Sequence, residues 1–333
     1  MEVYSILRKK ASMLILDQTL LPQTEKQIEI TDYRQMIEAI KALRIRGAPA
    51  IGIAAAGAAW MAGLEFEKEN HFKEKLLKAV AEIEASRPTA VNLFHACTRV
   101  RELIALTTED KLVFELFEYL DSLFHYEYNS CNQMAENGFE YIPKEFTRFL
   151  THCNTGGLAT YGIGTALGVI RRIAKDREIK VFADETRPLL QGSRLTMWEL
   201  KKSNIPAVLI SDNMAAHTIK TQKIDCIITG ADRICKNGDS ANKIGTMNLA
   251  ILADYYKIPF YIVAPESTID RHLEHGDQIE IEQRNADEVS HLRGQQISPE
   301  NIEVFNPAFD VSPAHLIKAI ITEKKVYEYP YQF

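Results

Sequence analysis

Residues 149–160 read FLTHCNTGGLAT, and they join an apolar strand to a polar turn and then to a run typical of a helix. The same alternation continues along the C-terminal half of the chain. The apolar runs are RFLTH, KVFADE, PAVLIS, DCIITGAD and PFYIVAP. The helical stretches between them are GLATYGIGTALGVIRRIAK, RLTMWELKKS, NMAAHTIKT and GTMNLAILADYYK. Strands that alternate with helices predict an α/β domain built on a doubly wound parallel sheet.

The first part of the chain predicts a small β element followed by helices. MLILDQTLLP and KQIEITD are typical of two short strands, and Thr31 or Asp32 can cap a helix that ends near Leu43. The stretch APAIGIAAAGAAWMAGLEF is apolar on nearly every face, which predicts a buried helix, and residues 71–85 and 90–140 also predict helices. We place the boundary near Pro143, with one domain over residues 1–143 and the parallel-sheet domain over residues 144–333.

The chain has 333 residues, 46% of them hydrophobic and 25% charged, and a net charge of −6. This is ordinary globular composition, and the mild acidity disfavours nucleic acid as a partner. No apolar run predicts a membrane span, and the start MEVYSILRKK lacks the apolar segment of a secretory signal. The five cysteines are odd in number and form no CxxC pair, so neither a zinc site nor a disulfide framework is indicated, and a reducing cytoplasm is the expected location.

Cys153 follows the first strand of the predicted sheet, at the strand end where such sheets bind ligands. A thiol at a helix start is favoured as the thiolate by the helix dipole. The alternative is a buried and inert cysteine, the usual state of a free thiol. The polar neighbours Asn154 and Thr155 favour the functional interpretation, whereas His152 alone is more typical of a hydrogen-bonded core histidine than of a base.

Asp232 follows another strand of the predicted sheet, in the stretch ITGADRICKNGDSANKIGT. A carboxyl group at the end of a buried strand can have a pKa raised by desolvation, which suits a general acid near neutral pH. The alternative is a cap or turn carboxylate. Asn242 and Lys243 stand before Gly245 and a predicted helix, an arrangement that can bind an anion.

Two arginines precede predicted helix starts. RIRGAPAIG places Arg46 and Gly47 before a first turn that carries Pro49, and SRPTAVNLFHA places Arg87 before another. Free N–H groups at a helix start attract anions, and arginine binds phosphate with two hydrogen bonds. Each arginine alone is equally compatible with a surface loop, but the two together favour an anionic substrate.

Gln191 and Arg194 stand at helical i, i+3 spacing in DETRPLLQGSRLT, so both can face one side. Asp184 and Glu185 are plausible metal ligands, but no third ligand has convincing spacing. Gly162, Gly164 and Gly168 imitate a dinucleotide fingerprint in YGIGTALG, yet they come too late after the strand. We therefore expect them inside a helix, where they allow close packing on the sheet.

These motifs resemble the methylthioribose-1-phosphate isomerases, whose superfamily includes the regulatory subunits of a translation-initiation guanine-nucleotide exchange factor. The resemblance covers nearly the whole chain. The segments that carry it are RGAPAIG, SRPTAVNLFHA, LTHCNTGGLAT, ADETRPLLQGSRLT, GADRICKNGDSANKIGT, PFYIVAPESTID and NPAFDVSPAHLI. The regulatory subunits share the fold but not the cysteine and aspartate that this chain retains.

The resemblance implies a small N-terminal domain joined to a Rossmann-like domain, assembled as a homodimer, with no metal and no nucleotide cofactor. It implies that Asp232 is the general acid and that Cys153 assists the transition state. The residues implied to bind the sugar phosphate are Arg46, Gly47, Ala48, Arg87, Gln191, Asn242 and Lys243. The implied reaction, in methionine salvage, converts an aldose 1-phosphate to the ketose 1-phosphate, with hydrogen moving from C2 to C1 as a proton or as a hydride.

Two departures leave the substituent at C5 of the sugar open. YSILRKKASMLILDQ lacks the tryptophan that many relatives have in this region, and Lys324 and Lys325 stand where relatives tend to have glycine. The alternatives are 5-deoxyribose 1-phosphate and ribose 1,5-bisphosphate, of which the latter should require extra basic groups. From other classes, a non-catalytic subunit that senses sugar phosphates or nucleotides and a dinucleotide-dependent dehydrogenase also remain as hypotheses.

Overall fold

A computed structural model of the chain describes residues 2–87 and 90–333, which divide into two compact units. The N-terminal unit comprises Glu2–Asn129 and Gly157–Gly164. The C-terminal unit comprises Ser130–Gly156 and Thr165–Phe333. The units differ from the predicted division at residues 143 and 144 in two ways. The change of unit falls inside a long helix, and a second short segment returns to the N-terminal unit.

The N-terminal unit combines a small antiparallel sheet with a helical core. Its strands, in the order β1-β2-β3, are β1 Ile6–Arg8, β2 Met13–Leu16 and β3 Gln27–Ile30, where the sequence predicted only the last two. The helices are α1 Tyr33–Lys41, α2 Ala48–Phe66, α3 Phe72–Glu84, α4 Val91–Leu106 and α5 Glu109–Tyr141, the last of which ends in the other unit. Asp32 caps α1 by accepting the N–H of Arg34 at 2.6 Å, as predicted.

Helix α2 lies in the centre of the N-terminal core. Its length and apolar composition would suffice to cross a membrane, contrary to the estimate from sequence, but 83% of its most apolar window is buried inside the protein. Side chains on every side of it contribute to one hydrophobic cluster, including Ile53, Ala56 and Trp60. The predicted buried helix is therefore confirmed.

The C-terminal unit is built on a seven-stranded sheet with the order β6-β5-β4-β7-β10-β15-β16. Six strands are parallel and β16 is antiparallel. These strands are β4 Arg148–Thr151, β5 Lys180–Asp184, β6 Ala207–Ile210, β7 Cys226–Thr229, β10 Phe260–Val263, β15 Ala319–Ile321 and β16 Val326–Glu328. The first of these strands in sequence, β4, lies in the interior of the sheet between β5 and β7. The connections change direction between β4 and β7, which is the strand order of a Rossmann-like fold.

Helices connect the strands of this sheet as the alternation predicted. They are α6 Ala166–Ile173, α7 Met197–Lys202 with a preceding π-helical turn Gly192–Thr196, α8 Ala215–Gln222, α9 Thr246–Tyr256 and the short α10 Asp287–Ser290. A second sheet has the order β11-β8-β9-β14, and a two-stranded ribbon pairs β12 with β13. Their bounds are β8 Arg233–Cys235, β9 Ser240–Lys243, β11 Ile269–Asp270, β12 His291–Leu292, β13 Gln295–Gln296 and β14 Phe309–Ser312.

The segment Gly157–Gly164 is irregular, so the prediction that Gly162 and Gly164 lie inside a helix was wrong. Both have positive φ angles, 103° and 93°, and only Gly168 belongs to α6. Gly162 instead pairs with Val3, with N–H···O=C distances of 3.0 and 3.3 Å in the two directions. The local sequence favoured a helix, and this pairing with a distant part of the chain overrides that preference.

Candidate active site

The strands β4 and β7 are neighbours at the point where the sheet changes direction, and each is followed by a candidate catalytic residue. Their register pairs Phe149 with Cys226. Cys153 follows β4, and Asp232 follows β7. The two loops pack closely, because a Cβ added at Gly230 would lie 3.0 Å from Cγ2 of Thr155. The ends of these strands are where a doubly wound sheet binds its ligand.

Cys153 is buried, with 8% of its surface exposed, and its φ is 59°. This left-handed conformation is uncommon for a residue with a side chain. Both polar groups of its backbone are bound by threonine hydroxyls. The N–H donates to Oγ1 of Thr186 at 2.9 Å, and the carbonyl accepts from Oγ1 of Thr196.

The prediction that a helix starts directly after Cys153 was wrong, since α6 begins only at Ala166. The first turn of α6 does reach the same loop, because the N–H of Leu167 donates to Oγ1 of Thr155 at 3.2 Å. That N–H group is thus bound by the threonine hydroxyl. An adjacent helix start therefore does not favour a thiolate at Cys153.

Asn154 joins the cysteine loop to a buried ion pair. Its side-chain amide donates to the carboxylate of Glu199 at 2.8 Å, and the other oxygen of Glu199 pairs with Arg171 at 2.9 Å. Glu199 and Arg171 are 0% and 4% exposed. Gly156 leaves room for this carboxylate, because a Cβ there would lie 2.2 Å from Oε2 of Glu199. The loop after β4 is thus hydrogen-bonded to a buried ion pair that solvent does not screen.

His152 is a buried hydrogen-bonded histidine, as the sequence indicated. Nδ1 lies 2.9 Å from Oδ2 of Asp184, and Nε2 lies 2.9 Å from the carbonyl oxygen of Ile244. Burial lowers the pKa of His152, but the hydrogen bond and the charge of Asp184 outweigh it and the pKa is raised overall. The contact to Ile244 fastens the β4 loop to the segment before α9.

Asp212 lies beside this histidine, and single ligand atoms of His152, Asp184 and Asp212 all fall within 4.8 Å of one another. Asp184 therefore has two further potential metal ligands nearby, which the sequence spacing did not reveal. Both ring nitrogens of His152 already have partners, however, and the oxygens of Asp212 accept the N–H groups of Thr186 and Arg187 at 2.7 Å. The cluster is better explained as hydrogen bonding that fixes the loops than as a metal site.

Asp232 precedes β8 and is half-buried, and its N–H donates to the carbonyl of Ala241 on β9 at 2.9 Å. This bond brings it next to Asn242, which is 4% exposed and donates to Oγ1 of Thr246 at 3.0 Å. Lys243 extends its amine over the ring of Phe309, 4.4 Å from the ring centre. The predicted acid and two predicted substrate ligands thus share one hairpin.

The start of α9 already holds an anion, and that anion is Asp310. Its carboxylate oxygens accept the N–H groups of Gly245 and Met247 at 2.7 and 3.0 Å. Burial raises the pKa of Asp310, against the lowering effect of these two donors. The predicted anion site at this helix start is therefore occupied by the protein itself, and any substrate contact here falls to the side chains of Asn242 and Lys243.

Gln191 immediately precedes the π-helical turn and is 6% exposed. Its amide oxygen is buried, and none of the described residues donates a hydrogen bond to it. A buried carbonyl oxygen costs free energy unless it finds a donor, which suits a substrate hydroxyl. Arg194, predicted to face the same side, donates to the carbonyl of Leu189 at 3.3 Å.

Arg46, Gly47 and Ala48 lie at the start of α2 in the N-terminal unit. Gly47 has a φ of 94°, and a Cβ there would lie 2.3 Å from the carbonyl oxygen of Ala159. This oxygen accepts the N–H of Ala50 at 3.2 Å, and Pro49 has no N–H to offer. The glycine is therefore needed for protein packing, and the helix start offers fewer N–H groups than the sequence suggested.

Arg87 is half-buried and stands before α4, in the N-terminal unit. Pro88 and Thr89, which were part of the predicted helix start, lie outside the described residues. The helix itself begins at Val91, with Ala90 as its N-terminal cap residue.

The site residues that sequence reasoning missed are Thr186 and Thr196, which hold the backbone of Cys153. One signal for Thr186 was available. It follows the end of β5, the strand next to β4, and a residue at that position is expected near the cysteine loop. Thr196 gave no such signal, because it belongs to the π-helical turn rather than to a strand end.

Comparison with known proteins adds a consistent picture. Residues 44–328 match the Initiation factor 2 subunit family. The methylthioribose-1-phosphate isomerase of Thermoanaerobacter sp. (strain X514) is 48% identical over 338 residues, which cover 99% of this chain and 97% of the relative. The enzyme of the same description from Dehalococcoides mccartyi (strain ATCC BAA-2266 / KCTC 15142 / 195) is 49% identical over 318 residues, covering 94% and 95%.

Two solved structures are similar over nearly their whole length. The 5-methylthioribose 1-phosphate isomerase from Pyrococcus horikoshii OT3 has a TM-score of 0.91 and 38% identity, covering 98% of this chain and 93% of that one. The translation initiation factor eIF-2B, subunit delta, from A. fulgidus has a TM-score of 0.88 and 37% identity, covering 99% and 97%.

Proposed function

The chain belongs to the methylthioribose-1-phosphate isomerases of the Initiation factor 2 subunit family, and from this we propose that it converts 5-methylthioribose 1-phosphate to 5-methylthioribulose 1-phosphate. The relatives of that description are about half identical to this chain over nearly all of its length. The single observation that carries the mechanism is the arrangement of Cys153 and Asp232 after the two strands where the sheet changes direction.

The proposed reaction begins with ring opening. The phosphate on the anomeric carbon prevents a free aldehyde from forming, so the ring must be opened with acid assistance. Asp232, in its neutral form, gives its proton to the ring oxygen as the bond from that oxygen to C1 breaks, which leaves a hydroxyl at C4 and a cationic C1. The carboxylate of Asp232 then accepts the proton of the C2 hydroxyl as the C2 carbonyl forms.

The hydrogen on C2 must also move to C1. In one route the thiolate of Cys153 removes it as a proton and returns it to C1, and in the other it moves directly as a hydride. The burial of Cys153 supports either route, because it keeps water from the thiol. Deuterium placed at C2 tests the routes, since a hydride requires complete retention at C1 and any exchange with solvent indicates a proton.

We keep the predicted substrate ligands as part of the proposed function. The buried amide oxygen of Gln191, without a donor among the described residues, is suited to a sugar hydroxyl. The proposed ligands of the sugar phosphate are Arg46, Gly47, Ala48, Arg87, Gln191, Asn242 and Lys243. The proposed reaction uses no metal and no nucleotide cofactor, and the homodimer and the cytoplasmic location likewise stay predictions.

Lys324 and Lys325 bear on the substituent at C5. The amine of Lys324 lies 3.6 Å from the carboxylate of Glu266, and that of Lys325 lies 4.5 Å from the ring centre of Tyr327. Both cations thus have partners on the protein, which disfavours a second phosphate on the substrate. We therefore retain the methylthio group as the proposed substituent and 5-deoxyribose 1-phosphate as the alternative.

The test is a comparison of kcat/KM for 5-methylthioribose 1-phosphate, 5-deoxyribose 1-phosphate and ribose 1,5-bisphosphate, with ketose 1-phosphate formation followed by phosphorus NMR. We expect the highest value for the methylthio sugar. A purified chain that binds these sugars and converts none would instead support the non-catalytic alternative. Thermal stabilisation by a nicotinamide cofactor would revive the dehydrogenase hypothesis.

A further inference from the structure

We propose that Thr186 and Thr196 are positioning residues that set the place of the Cys153 thiol by binding the two sides of its backbone. This inference rests on the proposed function, since it concerns the residue that assists hydrogen transfer. Neither threonine is assigned to the reaction by the sequence motifs discussed above. Both are buried, at 0% and 1% exposed, and both belong to the segment that follows β5.

The backbone of Cys153 needs such support. A non-glycine residue in the left-handed region costs about 1–3 kcal/mol and persists only where surrounding contacts enforce it. Residues held in this way cluster at active sites, where the conformation aims a side chain. At Cys153 the enforcing contacts are the N–H bond to Thr186 at 2.9 Å and the carbonyl bond from Thr196.

The donor and acceptor roles of the two hydroxyls are mutually consistent. Thr186 accepts from the N–H of Cys153 and donates its own proton to the carbonyl of Asp184 at 3.2 Å. Thr196 donates to the carbonyl of Cys153 and accepts from the amide of Asn154 at 3.3 Å. Each hydroxyl therefore accepts one hydrogen bond and donates one. Neither can rotate to another partner without leaving a buried group unpaired.

The threonines are themselves fixed. The N–H of Thr186 donates to Asp212 at 2.7 Å, and its φ of 65° is also left-handed. On the other side, Asn154 is bound to the buried carboxylate of Glu199. The cysteine thus sits between two anchored hydroxyls. Catalysis is sensitive to such placement, since a shift of about 1 Å can cost about 100-fold in rate.

The test compares Thr186→Val and Thr196→Val with Thr186→Ser and Thr196→Ser in the full chain. Valine keeps the shape but removes the hydroxyl, whereas serine keeps the hydroxyl. We expect each valine variant to lose about 100-fold in kcat with KM changed less than about threefold, and each serine variant to regain most of the loss. Thr218→Val, which removes a buried hydroxyl on α8 that none of the proposed site residues binds, should leave kcat unchanged.

Hydrogen exchange at the Cys153 amide provides a measurement that does not depend on activity. Exchange should accelerate at least about tenfold in Thr186→Val and stay slow in Thr186→Ser, because only serine keeps an acceptor. A folded valine variant with wild-type kcat, or a serine variant as slow as its valine counterpart, overturns the inference. If a valine variant does not fold, the serine variant and the other threonine carry the comparison. An inactive wild type with accelerated exchange in Thr186→Val would reject the proposed function while the hydrogen bonds stand.

Discussion

Asn154 and Glu199 are joined by a hydrogen bond of 2.8 Å between a side-chain amide and a carboxylate that has no exposed surface. Because Glu199 is also paired with Arg171, the residue next to the proposed catalytic cysteine is bound to a buried pair of opposite charges. Buried pairs of this kind contribute little net stability when intact, but removing one partner leaves the other charge without compensation. The site loop and the stability of the C-terminal unit therefore depend on the same carboxylate.

Glu199→Gln should lower the free energy of unfolding by about 3–5 kcal/mol, because it leaves Arg171 buried without a counter-charge. Chemical denaturation followed by circular dichroism measures this. The matched control is Asp254→Asn, which breaks an ion pair with Lys257 whose side chains are 59% and 77% exposed. That variant should lose less than about 1 kcal/mol. Equal losses in the two variants would contradict the importance given to burial.

Gly47→Ala should destabilise the protein by more than Gly294→Ala. Both glycines have a positive φ, 94° at Gly47 and 84° at Gly294, which an alanine adopts only with strain. At Gly47 the new Cβ would also lie 2.3 Å from the carbonyl oxygen of Ala159, whereas nothing lies within 4 Å at Gly294. The melting temperature should therefore fall further for Gly47→Ala than for Gly294→Ala, and similar values would show that the backbone near Ala159 moves aside.

Asp232→Asn and Cys153→Ser should each reduce turnover of 5-methylthioribose 1-phosphate. Asparagine cannot supply the proton for ring opening, so a loss of about 100- to 10,000-fold in kcat is expected for Asp232→Asn. The serine hydroxyl is a far weaker base than a thiolate, so Cys153→Ser distinguishes the two hydrogen-transfer routes by the size of its loss. Stopped assays of ketose 1-phosphate measure both, and near-normal turnover in the two variants removes the mechanism.

Asp239 should make the protein more stable above about pH 4 than below it. Burial tends to raise the pKa of Asp239, but donors from Asn237, Gly276 and Ala314 lower it overall. A carboxyl group with a lowered pKa in the folded state stabilises that state while ionised and loses the contribution as pH falls through that pKa. The difference in free energy of unfolding between wild type and Asp239→Asn should thus shrink from pH 6 towards pH 3. A constant difference across this range would refute the assignment.

Five strands of the sheet in the C-terminal unit were predictable, because each apolar run forms the expected strand and each helical stretch contains a helix. The small second sheet was not predictable, since its strands are two to four residues long and β14 comes from far along the chain. The start of α6 was missed for a similar reason. Its preceding residues have helical composition, but Gly162 pairs with Val3, which no local pattern reveals.

The position of Cys153 and Asp232 at strand ends was predictable, and the two residues follow the expected strands, β4 and β7. The hydrogen bonds that support the Cys153 loop were not predictable. The hydrogen bonds that hold Cys153 join the loop after β4 to the segment after β5, and that combination follows from the order of strands in the sheet. The occupation of the α9 start by Asp310 was equally hidden, because that carboxylate lies more than sixty residues further along the chain.

The return of Gly157–Gly164 to the N-terminal unit limits how the two halves of this chain could be exchanged in evolution or in the laboratory. A fragment that stops before this segment would lack the carbonyl groups that accept from Ser5 and Gln18 and the backbone that covers Gly47. Neither half is therefore self-contained, and a chimera with a single crossover would have to keep the loop beside the proposed catalytic cysteine together with the helices that precede it.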